Sequence, residues 1–267
     1  MTNEQETSTN PAARLLEILN KAKQHAGGTA AQAFGKIFEM DANNTAELYR
    51  RLGTCEQTTQ RIIELVGSIT NDKFKKSFQI NAASIAQFFT PRYLDQTWDE
   101  HRKKLLDKDT TALQLCSDLL GQNFQEQVIR KDTLNEVSQK VDALYAEVRD
   151  SDLDQNLKRT IMDGLHAIRT AIHDYTVRGA EGLQEALSTA IGQYMIFNVY
   201  VNAQMQHGPA ENEETATSGS DKKANTKVEL ATKYLNVLVL LGNLVKMAYH
   251  TGPQLVEYIH RMLPPPK

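Results

Sequence analysis

The chain has 267 residues, 40% hydrophobic and 24% charged, with a formal net charge of -3. That apolar share excludes a wholly disordered chain, and the weak negative charge gives no global electrostatic basis for nucleic acid binding. The length suits one large or two small domains, and 14 Gly with only 7 Pro predict long helices rather than many short strands.

Residues 1–10 read as a disordered polar tail, without the Lys or Arg of a secretory signal. Pro11 then opens a helix where a missing N–H costs nothing, with Leu15, Leu16, Ile18 and Leu19 as its apolar face. Gly27-Gly28 ends it, and a short helix carries Ala30, Ala33, Phe34, Ile37 and Phe38. A third starts after Asn43-Asn44-Thr45, good capping chemistry, and a fourth carries Ile62, Ile63, Leu65, Val66 and Ile69 up to Asn71-Asp72. Pro91 breaks the following run. These elements make an N-terminal helical part over 11–92.

A central helical bundle is expected over 95–206. Leu134, Val137, Val141, Leu144 and Val148 step by three and four, as do Leu157, Ile161, Leu165, Ile168, Ile172 and Tyr175. The polar turn Arg149-Asp150-Ser151 separates the two stripes, and Asp152-x-x-Gln155 resembles a capping box. Two matched stripes joined by a short turn predict an antiparallel helical hairpin over 133–178. A further helix carries Leu183, Leu187, Ile191, Tyr194, Met195 and Val199. Residues 207–226 have almost no apolar content and read as a flexible linker. Residues 227–263 return to an apolar helix and a short helix divided at Gly252-Pro253. The fold class expected is therefore all-α: a multi-helix bundle with a central antiparallel hairpin and a tethered C-terminal helix.

The stretch Ser151–Leu187 carries Ala171-Ile172-His173-Asp174-Tyr175 followed by Arg178-Gly179-Ala180-Glu181-Gly182-Leu183. With Leu113-Gln114-Leu115-Cys116-Ser117-Asp118 upstream, it resembles a family of bacterial all-helical proteins marked by such a helical corner. The resemblance spans roughly residues 11–200 and is specific around 150–187. It implies an all-helical fold and a bacterial cytoplasmic origin, and brings no activity with it. Read from the residues alone, Arg178, Gly179, Glu181 and Gly182 form a structural corner. Gly179 takes the position after the helix end, Arg178 suits the C-terminal end of one helix, and Glu181 suits the first turn of the next.

Chemistry-bearing motifs are scarce. There is no phosphate-cradling GxxxxGK[ST], no GxSxG and no HExxH. Asp163, His166, His173 and Asp174 are too spread along one helix for a metal site of their own, so neither metal nor cofactor is expected. Arg159 and His166 match the Arg-x(4–6)-His spacing of HEPN-type ribonucleases, in which His serves as acid–base and Arg steadies the phosphate. The basic runs Lys73-Phe74-Lys75-Lys76, Arg102-Lys103-Lys104 and Lys222-Lys223 read as solvated helix faces, and Trp98 as a packing anchor. Cys55 and Cys116, far apart in sequence, read as small buried residues of a reducing compartment.

The C-terminal helix is apolar nearly all round, through Leu235, Leu238, Leu241 and Val245 among others, so it must be covered. Its own core, a second subunit or a membrane would do so, and Lys233, Lys246, His250 and His260 would suit lipid headgroups. The function expected is a non-enzymatic helical scaffold or interaction protein of the bacterial cytoplasm, with a protein partner or a second copy and without nucleic acid. The alternatives are a membrane-acting effector of a defence or toxin system, peripheral to the membrane through the C-terminal helix, and a HEPN-like ribonuclease using Arg159 and His166.

Overall fold

The computed structural model describes residues 8–70, 72–206 and 220–249. The fold is all-α, with ten α-helices among the described residues. The chain divides into two compact units, residues 1–128 with 176–179, and residues 129–175 with 180–267. The division therefore falls at 128–129 rather than at the expected 92–95. The helix over residues 107–120 packs with the N-terminal helices, because Leu113, Cys116 and Leu120 complete their core.

In the first unit, α1 (Pro11–Gln24) begins at Asn10, whose side chain accepts from Ala13 N at 3.0 Å. Asn10 also donates to the Ser117 carbonyl at 3.0 Å. Residues 8–10 are thus held, contrary to the disordered tail expected there, and Ser8–Thr9 (β1) pairs antiparallel with Glu126–Gln127 (β2). Two-residue strands carry no periodicity for a pattern search to find. Thr29 caps α2 (Ala30–Ile37) in a reciprocal capping box with Gln32. The two helices expected between residues 45 and 70 are one, α3 (Thr45–Ile69). Its Gly53 meets no neighbour and the helix runs through it. Next come α4 (Asp72–Phe88), a 3₁₀ turn at Pro91–Tyr93, α5 (Trp98–Arg102) and α6 (Asp107–Leu120).

The centre of this unit is aromatic. Trp98 is fully buried and donates Nε1–H to the His25 carbonyl at 3.0 Å. His101, also fully buried, lies with its ring centroid 4.9 Å from Phe88, 5.4 Å from Phe34 and 5.6 Å from Trp98. Its Nε2 faces the Phe88 carbonyl at 2.9 Å, which makes that nitrogen the donor, and its Nδ1 is buried without a partner. A second proton would sit on Nδ1 among rings. Burial accordingly pushes the imidazole from 6.5 down to about 4, against the favourable Phe88 carbonyl and with help from the Lys104 charge.

A buried ion pair ties distant segments of this unit together. Arg14 of α1 donates Nη1–H to Glu126 Oε2 at 2.8 Å, with side chains only 7% and 5% exposed. Its Nε donates to the Val177 carbonyl at 3.1 Å and its Nη2 to the Arg178 carbonyl at 3.0 Å. Gly179 follows at φ 61, ψ -148, a break inside α9 (Tyr175–Gln206). A β-carbon there would strike the Arg14 guanidinium and Glu126 Oε2. Glycine is therefore required twice, by the backbone angle and by the ion pair.

In the second unit, α7 (Lys131–Asp150) and α8 (Gln155–His173) form the expected antiparallel hairpin. Every member of the Leu134–Val148 stripe is buried, and Leu157, Ile161, Leu165 and Ile168 face it. The second arm ends at His173 rather than at 178, capped by Asp174, so Gly179 is not the residue closing α8. The cap at the hairpin turn is Asp154, accepting from Asn156 N and Leu157 N at 3.0 and 3.1 Å, rather than Asp152. Residues 180–206 of α9 and α10 (Ser220–Tyr249) complete the bundle. The Tyr234 hydroxyl donates to the Ala190 carbonyl at 3.1 Å and lies where a β-carbon on Gly164 would be. Residues 220–226, expected as linker, are the first turns of α10. Of the remaining linker, 207–219 lies outside the described residues, as do the Gly252-Pro253 break and the short helix up to 263.

Two outcomes follow. Gly179→Ala should cost about 2 kcal/mol or more in urea unfolding, since strain and a clash add. His101 is neutral when folded and titrates near 6.5 when unfolded. Its contribution is therefore fully present above pH 6.5 and is lost as pH falls toward 4. At most about 3 kcal/mol is at stake. Urea unfolding at about pH 7.5 and about pH 4.5 should show this slope, and His101→Phe should flatten it.

Candidate functional site

Arg159 and His166 lie on the outer face of α8, both exposed. Arg159 Nε is 4.0 Å from Asp163 Oδ2, its i+4 neighbour. The two candidate residues stand seven apart on one helix, about 10 Å along its axis. Neither lines the two grooves described below, and Arg159 makes an ordinary surface ion pair.

The C-terminal helix residues singled out as an interaction surface are core. Leu238 and Leu241 are fully buried, Val245 nearly so, and Leu235 is half-buried against the same cluster. They pack within the second unit, where α10 lies against α7, and Lys233 bridges Glu147 at 2.7 Å. Residues Lys227–Tyr249 are long and apolar enough to cross a membrane by length and composition alone, and 56% of that apolar window is buried inside the bundle. At the corner, Gly179 and Gly182 are buried, Arg178 lends its carbonyl to Arg14, and Glu181 is half-buried.

Two grooves are open to solvent in the first unit. One, of about 710 Å³, lies between α3 and α4 and is lined by Glu56, Gln57, Gln60 and Gln79 around small alanines. The other, of about 470 Å³, lies between α1 and α6 and holds Glu17 and Lys21, which pair with each other at 2.8 Å. Neither brings a nucleophile beside a base. Among the described residues, no three His, Cys, Asp or Glu side chains converge as metal ligands. Cys55 and Cys116 are buried thiols, and burial pushes the Cys116 thiol up to about 12, far from reactive.

The feature that sequence inspection missed is the outer face of α9. Leu183, Leu187, Ala190, Tyr194 and Phe197 make its buried stripe. Met195, Ile196, Val199 and Tyr200 are 41%, 60%, 70% and 40% exposed. Met195 and Val199 were grouped with the core residues in the sequence, because both belong to one apolar run. At about 100° per residue the run instead supplies two faces, and Met195, Ile196 and Val199 point away from the core. Gly192, exposed on the same outer face, would meet nothing if it carried a β-carbon. Between Glu185 and Gln206 the sequence contains no Asp, Glu, Lys or Arg. That lack of charge was the available signal.

The hairpin arms α7 and α8 have 20 and 19 residues, whereas α10 has 30. Contacts of Lys233 with Glu147 and of Tyr234 with Ala190 set the register. In that register Gly164 of α8 lies beside Ala190 and Tyr234, and Met195, Ile196 and Val199 are exposed because they point away from that contact.

Comparison with protein-family models, curated proteins and solved structures finds no match to this chain. The double variant Arg159→Ala, His166→Ala should change unfolding free energy by less than about 0.5 kcal/mol. A larger loss in urea unfolding would mean that these residues carry structure that the exposed face does not account for.

Proposed function

We propose that the protein is a non-enzymatic helical interaction module of the bacterial cytoplasm, and that it works through the outer face of α9. One observation carries the reading: Met195, Ile196, Val199 and Tyr200 stay exposed on a helix stretch without charge. Exposed apolar side chains scattered singly are normal on a protein surface. A contiguous patch of this kind marks a contact site. Met and aromatic residues are also those that binding surfaces favour. The resemblance around residues 150–187 supports the bacterial assignment, and two buried thiols fit a reducing compartment.

The membrane reading draws on α10, whose apolar side chains are already used in the core, so it is the weaker one. A photo-crosslinking residue placed at Val199 tests the proposal in living cells. It should give a discrete protein adduct, whereas the same residue at Arg159 should give none. Equal labelling from both positions, or no adduct from either, refutes the proposal.

A further inference from the structure

The chain enters the first unit twice, and the second entry is short. Residues 176–179 lie between Tyr175 and Ala180, both in the second unit's core, yet Val177 is fully buried in the core of the first. The Val177 and Arg178 carbonyls accept from Arg14, and Thr176 Oγ1 accepts from Arg51 Nη1 at 3.4 Å. We infer that these four residues are a strap that sets an order of opening. The first unit opens by releasing the strap while the second stays folded, and the second opens only after the first.

The two units depend on the strap unequally. Its release takes Val177 out of the first unit's core and leaves the buried Arg14 charge short of two acceptors, a large loss in each case. The core of the second unit contains none of residues 176–179. Because the helical ladder is already broken at Gly179, the strap leaves without unwinding residues 180–206. The second unit in turn presents the strap. Ile129 and Tyr175 are the residues next to the two segments of the first unit, and Ile129 N–H donates to the Tyr175 hydroxyl at 2.8 Å. That bond keeps together the points where the chain leaves the first unit and returns to it. With the second unit unfolded, the strap is found only by closing a loop of about 50 residues, against chain entropy. The first unit without the second therefore lacks a held strap, whereas the second without the first keeps its whole core.

Amide hydrogen exchange on the full chain, in native buffer and in rising subdenaturing urea, tests this order, since protection reads the free energy of each opening. In the wild type, core amides of α1, α3 and α6 should open together at lower urea than those of α7 and α8. Val177→Ala should speed exchange in the first unit by about tenfold or more. Alanine is the better helix former, so α9 itself is not weakened. The second unit, whose opening follows that of the first, should speed up by the same factor. Ile168→Val, in the buried stripe of α8, should speed exchange about two- to tenfold in the second unit only. Val177→Ala acting on the first unit alone means two independent units, and Ile168→Val acting on both means one cooperative body; either result overturns the inference. A wild type in which both sets of amides open together, or in which α7 and α8 open first, overturns it without any variant.

Discussion

The first unit depends on one desolvated charge. Arg14 has five N–H donors on a rigid fork, and burial takes water away from all of them. Glu126 answers the charge, and the carbonyls of Val177 and Arg178 take the donors that the carboxylate leaves. Those two carbonyls are available because the helical ladder breaks at Gly179. The strain of a positive φ, an absent side chain and a buried ion pair are thus one arrangement seen from three positions. Removing any of them strands polar groups where no solvent reaches, the situation in which a buried pair has its largest cost. The β1–β2 ladder belongs to the same arrangement, since it fixes the strand that carries Glu126.

Much of the second unit could be read directly from residue spacing. The α7 and α8 stripes recur every three or four positions, and a short polar turn leaves the two helices only one way to bury them. Local capping chemistry at Asn44 was equally legible, since a side chain there bonds within its own turn. What escaped was non-local. Nothing near Arg14 in sequence announces Glu126 or the carbonyls of 177 and 178, and two-residue strands have no period. The helix over 45–69 runs unbroken through Gly53, because glycine permits a helix end without imposing it.

The reading of α9 and α10 shows how composition misleads when geometry is withheld. Apolar residues run nearly all round α10 between Tyr234 and Tyr249, as a contact surface would require, yet burial in the bundle consumes Leu238, Leu241 and Val245. The neighbouring α9 retains an exposed patch, because its apolar run continues on to the face that points away from the core. Which apolar side chains stay exposed was decided by packing, a property of the assembled bundle and of no single segment. The Arg159–His166 spacing illustrates a related point. A spacing along one helix places two side chains on one side, but a site also needs walls, and those must come from other elements.

The break at Gly179 has a consequence for synthesis. The first unit is discontinuous: residues 176–179 belong to it, yet the ribosome delivers them only after the whole α7–α8 hairpin. Until then Arg14 and Glu126 share a half-built pocket, and Val177 is missing from the core it will fill. The bonds that complete the site join residues 163 and 164 apart in sequence. Such contacts are slow to close, since the intervening chain must first be ordered. The nascent chain therefore has reason to settle the hairpin first and to finish the N-terminal unit afterwards, so that the earliest residues made are among the last to reach their final packing.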